Sequence, residues 1–315
     1  MKFLSYKNGE LASHAVLYSE SSETLEIIDL KEHAQVLPGY GAPAEAVRHL
    51  ADRDLVALIE VYGDLKAALD ELVRHSRQRG LIKTIKPRSL LAPIPRPARN
   101  IFCVGRNYLD HIREGDLTRG ITTPIPRHPQ FFTKPPSTVI GHEAAIEIEL
   151  EVSDQIDYEV ELAVVIGKAA RNLTAANAMD CVWGYTVFND VTARDIQRRH
   201  DQWFKGKGLD TFGPMGPFIV TADELPDPHA CDIELRVNGQ VRQQDNTSHM
   251  HFRIPDILAA LSQGMTLQPG DVIATGTPPG VGYAMDPPGL LQPGDVVDCK
   301  IKGIGVLRNH VRLRA

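Results

Sequence analysis

The segment Asp157-Tyr158-Glu159-Val160-Glu161 runs without a break into Leu162-Ala163-Val164-Val165-Ile166-Gly167, and that continuity constrains this chain more than any other feature. The branched, apolar half suits an interior strand. Alternate side chains of a strand point the same way, so Asp157, Glu159 and Glu161 are expected on one face, beside a core. Carboxylates buried together repel one another and cost roughly several kcal/mol unless something positive compensates. A divalent cation is the simplest compensation; a solvated strand face is the plainer alternative. Asp190, in Asn189-Asp190-Val191-Thr192-Ala193-Arg194-Asp195, stands where a strand gives way to a helix and either caps that helix or adds a ligand. Oxygen-only donors suit Mg²⁺, Mn²⁺ or Ca²⁺ rather than zinc.

Around this segment the 315 residues show two textures. From Lys2 to about Gly80 a strand-like start leads into helical periodicity, clearest from Leu55 to Arg79. Pro87 to Pro97 reads as an extended, proline-rich linker. From Asn100 onward the chain is rich in glycine and short strands, and Leu267-Gln268-Pro269-Gly270-Asp271-Val272-Ile273 recurs as Leu291-Gln292-Pro293-Gly294-Asp295-Val296-Val297. Pro-Gly-Asp suits a tight turn and the Val/Ile after it a strand. These signals predict an α+β fold: a rolled mixed β-sheet domain over residues 100–315, a linker over 86–99 and a smaller N-terminal α/β domain over 1–85. Later helices are expected only at roughly Val191 to His200 and Ile254 to Gln263. Thr118 to Pro129 lacks an apolar period, contains Pro124, Pro126 and Pro129, and reads as a mobile lid-like loop.

Net charge is −6 with a pI near 6.1, which gives no reason to expect a nucleic-acid or anionic-membrane partner. Cys103, Cys181, Cys231 and Cys299 are widely spaced, which argues against a zinc cluster and a disulfide scaffold. The N-terminal residues carry no apolar h-region, so a cytoplasmic protein is expected.

A second constellation is His111-Ile112-Arg113-Glu114. On a helical turn Glu114 can hold one imidazole nitrogen of His111, which orients the ring and raises its basicity. The pair reads as a water-activating base or as a surface ion pair. Lys134 and Lys207 stand in Gly/Pro settings, where either can balance a substrate carboxylate or an enolate. The loop Ala274-Thr275-Gly276-Thr277-Pro278-Pro279-Gly280-Val281-Gly282 lacks a P-loop ending and suits a carboxylate-binding turn or an ordinary surface turn.

Taken in order, Val104-Gly105-Arg106-Asn107-Tyr108 with His111 and Glu114, Phe132-Thr133-Lys134-Pro135, Asp157 to Glu161, Asn189 to Asp195, Gly276-Thr277-Pro278 and Gly303-Ile304-Gly305 resemble the fumarylacetoacetate hydrolase family over about residues 100 to 315. The resemblance implies that family's rolled sheet, a homodimer, and Mg²⁺ (or Mn²⁺ or Ca²⁺) on Glu159, Glu161 and Asp190, with no ligand role for Asp157. It implies a catalytic His111/Glu114 pair on a lid around residues 109–129, Lys207 beside it, and Arg106, Asn107, Lys134, Gln197 and Thr277 facing a small-molecule substrate. The activity it implies is hydrolysis of a C–C bond in a 2,4-dioxo acid of the acylpyruvate, fumarylpyruvate or fumarylacetoacetate type, in aromatic catabolism. Oxaloacetate-type decarboxylation, isomerisation, hydration and sugar-acid dehydration are alternatives on the same scaffold, and a metal-stabilised binding protein is the non-enzymatic one.

Overall fold

The structure, a computed structural model, describes residues 1–21, 23–34, 46–47, 49–50 and 53–314. The N-terminal stretch supplies strands β1 (Lys2–Asn8), β2 (Leu11–Glu20), β3 (Leu25–Asp29) and β4 (Lys83–Ile85). Strands β5 (Ile101–Gly105) and β6 (Gln130–Lys134) flank a helix over Leu109–Arg119. Then come β7 (Val139–Ile140), β8 (Ala145–Ile148), β9 (Ile156–Asp157), β10 (Val160–Ile166), β11 (Val182–Asn189), β12 (Thr192–Ala193) and β13 (Gly213–Thr221). The C-terminal third adds β14 (Asp232–Val237), β15 (Gln240–Asn246), β16 (Val272–Ala274), β17 (Val296–Ile301) and β18 (Gly305–Leu313).

The apolar run is the interior strand it promised to be. Every residue of β10 is buried, and the strand pairs antiparallel with β11 on one side and β16 on the other. Val160, Leu162, Val164 and Ile166 enter one core, whereas Ala163 and Val165 enter a second core on the opposite face. A strand covered on both faces needs an apolar sequence, and Leu162 to Ile166 supplies it without a polar residue, Glu161 being the strand's one exception.

The main sheet runs β4-β3-β2-β1-β13-β11-β10-β16-β5-β6, with β7 beside β13. A second sheet runs β15-β14-β17-β18-β8, and β9 pairs with β12. The α+β character holds, but the expected roll does not: neither large sheet closes or curls upon itself. The edge of β13 that a closing strand would use is taken by β1, with Lys2 opposite Val220 and Phe3 opposite Ile219, so the N-terminal strands extend the sheet outward. Edge pairing of this kind removes the drive to close. The repeated Pro-Gly-Asp turns do precede β16 and β17, and Gly270 (φ 81°) and Gly294 (φ 98°) supply the left-handed residue they need.

Helical periodicity from Leu55 to Arg79 resolves into two helices, Leu55–Glu60 and Tyr62–Arg79, broken at Val61. Tyr62 packs edge-on against Phe3 and Trp183, with ring centroids 5.9 and 5.6 Å away, which ties the longer helix to the main sheet. The helix expected from Val191 spans Arg194–Arg199 only, because Thr192–Ala193 is drawn into pairing with β9. The helix at Ile254–Ser262 stands where expected. At the expected lid, helix continues to Arg119, and Gly120 ends it in a left-handed conformation. Among the described residues no helix is long and apolar enough to cross a membrane.

Candidate active site

Antiparallel pairing sets Val160 opposite Asn189, so the residues just beyond each strand end, Glu159 and Asp190, lie side by side. The Asp190 N–H donates to Glu159 O at 2.9 Å, and the Glu159 N–H donates to Asn189 Oδ1 at 3.0 Å. Glu161 lies two residues on from Glu159, on the same face of the chain. Carboxylate oxygens of Glu159, Glu161 and Asp190 all lie within 4.8 Å of one another, and all three residues are buried.

Asp157 does not join them, which corrects the expectation of three acidic residues on one strand face. The extended segment breaks between β9 and β10, at Tyr158 and Glu159. The Asp157 carboxylate instead accepts from the N–H groups of Gly282 (2.7 Å) and Tyr283 (3.1 Å) and holds Arg194 Nε at 2.9 Å. It anchors a neighbouring loop.

The cationic partners are unevenly shared. Lys207 Nζ sits 2.7 Å from both Glu159 Oε2 and Asp190 Oδ2. Arg194 reaches Glu159 Oε1 at 2.7 Å, and Lys134 Nζ reaches Asp190 Oδ1 at 2.6 Å. Burial by itself would raise Glu159, but Lys207 and Arg194 override it and hold the carboxyl below its ordinary range. Among the described residues the Glu161 side chain receives only the Gly276 N–H, at 2.8 Å. Burial, then Asp190 and Glu159, push its carboxyl well above the usual range.

This asymmetry tests whether a metal fits. The trio offers hard oxygen donors at one point, the Lys207 ammonium already stands in for a cation between two of them, and among the described residues the third is in no ion pair. A divalent cation supplies the missing charge, and the residues present form a site for one.

Two of the trio, Glu159 and Glu161, open on a cavity of about 350 Å³, with Asp190 behind them. Arg106, His111, Gln197, Lys207 and Thr277 line it together with Glu159 and Glu161. On the helix Leu109–Arg119, His111 Nδ1 lies 2.9 Å from Glu114 Oε1, and Glu114 Oε2 accepts the Gly280 N–H at 2.8 Å. His111 is thereby oriented by a carboxylate that also ties the helix to the loop after β16. Arg106, in the left-handed region at φ 58°, donates Nη2 to Thr123 Oγ1 and to Pro124 O.

Two of the expected substrate contacts lie behind the wall. Asn107 is fully buried, donating Nδ2 to Phe252 O and Thr275 O while Oδ1 accepts the Phe252 N–H. Lys134 is fully buried against Asp190, Val191 O and Lys207 O, and burial lowers its pKa against the pull of Asp190. Thr277 faces the cavity while donating to Val160 O, and Gln243 Nε2 holds it at 2.8 Å. Gln197 Oε1 accepts from Arg194 Nη1 at 3.2 Å.

Residue patterns missed Gln243, Arg119 and Tyr283. Gln243 clamps β10 through the Val160 N–H, and the latter two line the cavity. None carries a sequence signal: Gln243 and Tyr283 are placed by long-range contacts, and Arg119 meets Tyr283 only in the folded chain. Arg194 stands inside a motif that was recognised, but its two carboxylate partners become evident only in the folded chain.

Known proteins agree with this architecture. Residues 100–312 match the family described as fumarylacetoacetate (FAA) hydrolase C-terminal. The chain is 44% identical over 276 residues to the oxaloacetate tautomerase YisK of Bacillus subtilis, covering 83% of this chain and 90% of that one. It is 46% identical over 232 residues to the human mitochondrial oxaloacetate tautomerase FAHD2A, covering 72% and 71%. A solved fumarylacetoacetate hydrolase from Exiguobacterium antarcticum superposes with a TM-score of 0.78 at 39% identity, over the whole of both chains. With the matched motifs gathered around one carboxylate trio, and relatives this similar over most of its length, the chain belongs to the fumarylacetoacetate hydrolase family.

Proposed function

We propose that the protein is a divalent-metal-dependent tautomerase of 2-oxo acids of the oxaloacetate type, interconverting enol and keto forms. The observation that carries this reading is His111, oriented by Glu114, in the same cavity as Glu159 and Glu161 of the carboxylate trio. The similarity to oxaloacetate tautomerases supports it over the C–C hydrolysis first expected, which would use the same parts.

A cation held by Glu159, Glu161 and Asp190 would supply Lewis-acid charge to the 1-carboxylate and 2-oxygen of the substrate. The remaining work falls to side chains. With Nδ1 turned to Glu114, His111 keeps Nε2 for the cavity, where it takes the C3 proton of the keto form. The electron pair moves into the C2–C3 bond and charge collects on O2. Lys207, whose pKa is raised by Asp190 and Glu159 in spite of burial, remains an ammonium and donates a hydrogen bond to that oxygen. The proton that His111 took from C3 is returned at O2 to complete the enol, which leaves His111 neutral again, and the reverse order returns the ketone. Arg106, Gln197 and Thr277 orient the acid, while Asn107 and Lys134 hold the wall. A homodimer belongs to the same proposal and is read by sedimentation velocity.

The test follows decay of the oxaloacetate enol by its ultraviolet absorbance, after chelation and after adding Mg²⁺ or Mn²⁺, with acylpyruvates assayed in parallel for pyruvate release. Metal-dependent enol decay that collapses in His111→Ala supports the tautomerase. Metal-dependent cleavage of acylpyruvates without faster enol decay would return the protein to the hydrolases.

A further inference from the structure

One end of the cavity is not used by the carboxylate trio or the His111/Glu114 pair. There the helix Leu109–Arg119 presents Arg119, and the loop anchored on Asp157 presents Tyr283. A Cβ placed on Gly115 would meet Tyr283 Oη at 2.6 Å and Arg119 Nη2 at 3.7 Å, so phenol and guanidinium converge on the same bare turn of the helix.

Both retain unused donors. Arg119 gives Nε to Gly115 O (2.9 Å) and Nη2 to Asp116 (3.1 Å), which leaves Nη1. The Tyr283 hydroxyl makes no hydrogen bond among the described residues, while the backbone N–H of the same residue is held by Asp157. Charge leans the same way. Among the described residues Arg106 is bonded only to neutral oxygens, Thr123 Oγ1 and Pro124 O, and Asp116 is the one carboxylate in an ion pair with Arg119. This end of the cavity favours an anion.

Its position relative to the trio is fixed. The Arg194 guanidinium lies 4.6 Å from the centroid of the Tyr283 ring while gripping Glu159 Oε1 at 2.7 Å. One arginine therefore spaces the phenol from the metal ligands. The two ends can then act as a ruler for a short molecule with an acid at each end.

We propose that Tyr283 and Arg119 bind the distal carboxylate of a short 2-oxo dicarboxylic acid, and so select four-carbon diacids over 2-oxo acids that end in an alkyl group. This rests on the functional reading above only in placing the 2-oxo acid end at the carboxylate trio. An alkyl terminus would desolvate the phenol and Nη1 without pairing them, which is the strongest source of discrimination a site has.

Binding reads the idea without turnover. Mn²⁺-loaded protein is titrated calorimetrically with freshly dissolved oxaloacetate and with 2-oxobutanoate, which lacks the distal carboxylate. The wild type should prefer oxaloacetate by about tenfold or more, and Tyr283→Phe and Arg119→Gln should each cut that ratio by about tenfold, with Arg119→Lys recovering part of it. Binding of 2-oxobutanoate also reports that each variant is folded. A wild type without preference, a ratio unchanged within about threefold in both variants, or equal losses for both ligands would overturn the proposal. If the ratio behaves as expected but the wild type does not speed enol decay, the distal site stands and the tautomerase reading falls. If enol decay is fast while the variants keep the ratio, the reverse holds.

Discussion

Replacing Glu114 by glutamine separates two tasks that one carboxylate performs. Glu114 accepts twice: Oε1 faces His111 Nδ1 at 2.9 Å and Oε2 faces the Gly280 N–H at 2.8 Å. A carboxamide keeps the shape but has one acceptor and one donor. With its oxygen toward Gly280, the amide N–H₂ meets Nδ1, which must then accept, and the imidazole proton moves to Nε2. The base is lost in that arrangement. With the amide reversed, His111 keeps the productive tautomer, but two donors face each other at Gly280 and the tie between helix and loop is broken. A hydrogen bond to a charged group contributes about 1.5–3 kcal/mol, which sets a floor of roughly ten- to a hundredfold in rate. Loss of the base itself costs on the order of 10²–10⁴. Glu114→Gln should therefore lower kcat for enol decay by about 10²-fold or more, with metal-induced stabilisation retained because no metal ligand is touched. Steady-state kinetics at saturating Mn²⁺, paired with thermal denaturation, measures both. A kcat within threefold of wild type would refute the assignment of His111 and Glu114 as a working pair.

Three further outcomes are expected. A Cβ at Gly206 would lie 2.5 Å from Gln197 N and 2.6 Å from Gln197 Cα, so Gly206→Ala must part the helix bearing Gln197 from the turn bearing Lys207. Overpacking of this kind costs about 1–3 kcal/mol, and a Tm within one degree of wild type would contradict the close approach. Mn²⁺ at about a hundred times its Kd should stabilise the protein by about 2.7 kcal/mol, reversibly with chelator, and Glu161→Gln should abolish the shift; a shift that survives would move the metal elsewhere. His14 is buried between Ser5 Oγ and Arg53 O, each 2.8 Å away, and burial lowers its pKa, as it does for His33, His142 and His229. Because the unfolded side chain titrates near about 6.5, the unfolded state binds more protons between that pH and the lower folded pKa, so stability is lost as pH falls through this window. The fall in urea midpoint from pH 7.5 to 5.5 should be shallower in His14→Gln, and an unchanged slope would show that His14 is not part of it.

The sequence discloses this protein best where an interaction is local. His111 and Glu114 are three apart on one helix, and Glu159 and Glu161 are two apart on one extended segment, so helical and strand periods bring each pair together. The open sheet was not legible, because turn residues mark where a strand begins and say nothing of the edge it will join. Phe3 finds Ile219 across most of the chain. Tyr283 and Gln243 are hidden for the same reason: each is placed by a partner more than eighty positions away.

Asp157 shows how a local rule fails. Period two presumes one unbroken strand, yet the Asp157 carboxylate accepts the N–H of Tyr158 as well as those of Gly282 and Tyr283, while the Glu159 N–H turns to the Asn189 side chain. Backbone donors that would have continued a ladder are satisfied by side chains instead, and the strand breaks there. That break frees the end of β10 to meet Asp190, which the unbroken strand could not have approached in the same way. The outer carboxylate is thus diverted into holding the Tyr283 loop and Arg194, and its diversion is what lets a residue from β11's end complete the trio. Asp157→Asn, which keeps the shape but weakens the grip on Arg194, should accordingly disturb Tyr283 and the distal end of the cavity more than the metal. The measurement is the oxaloacetate to 2-oxobutanoate affinity ratio beside the Mn²⁺ affinity; a loss confined to Mn²⁺ would show that Asp157 belongs with the ligands after all.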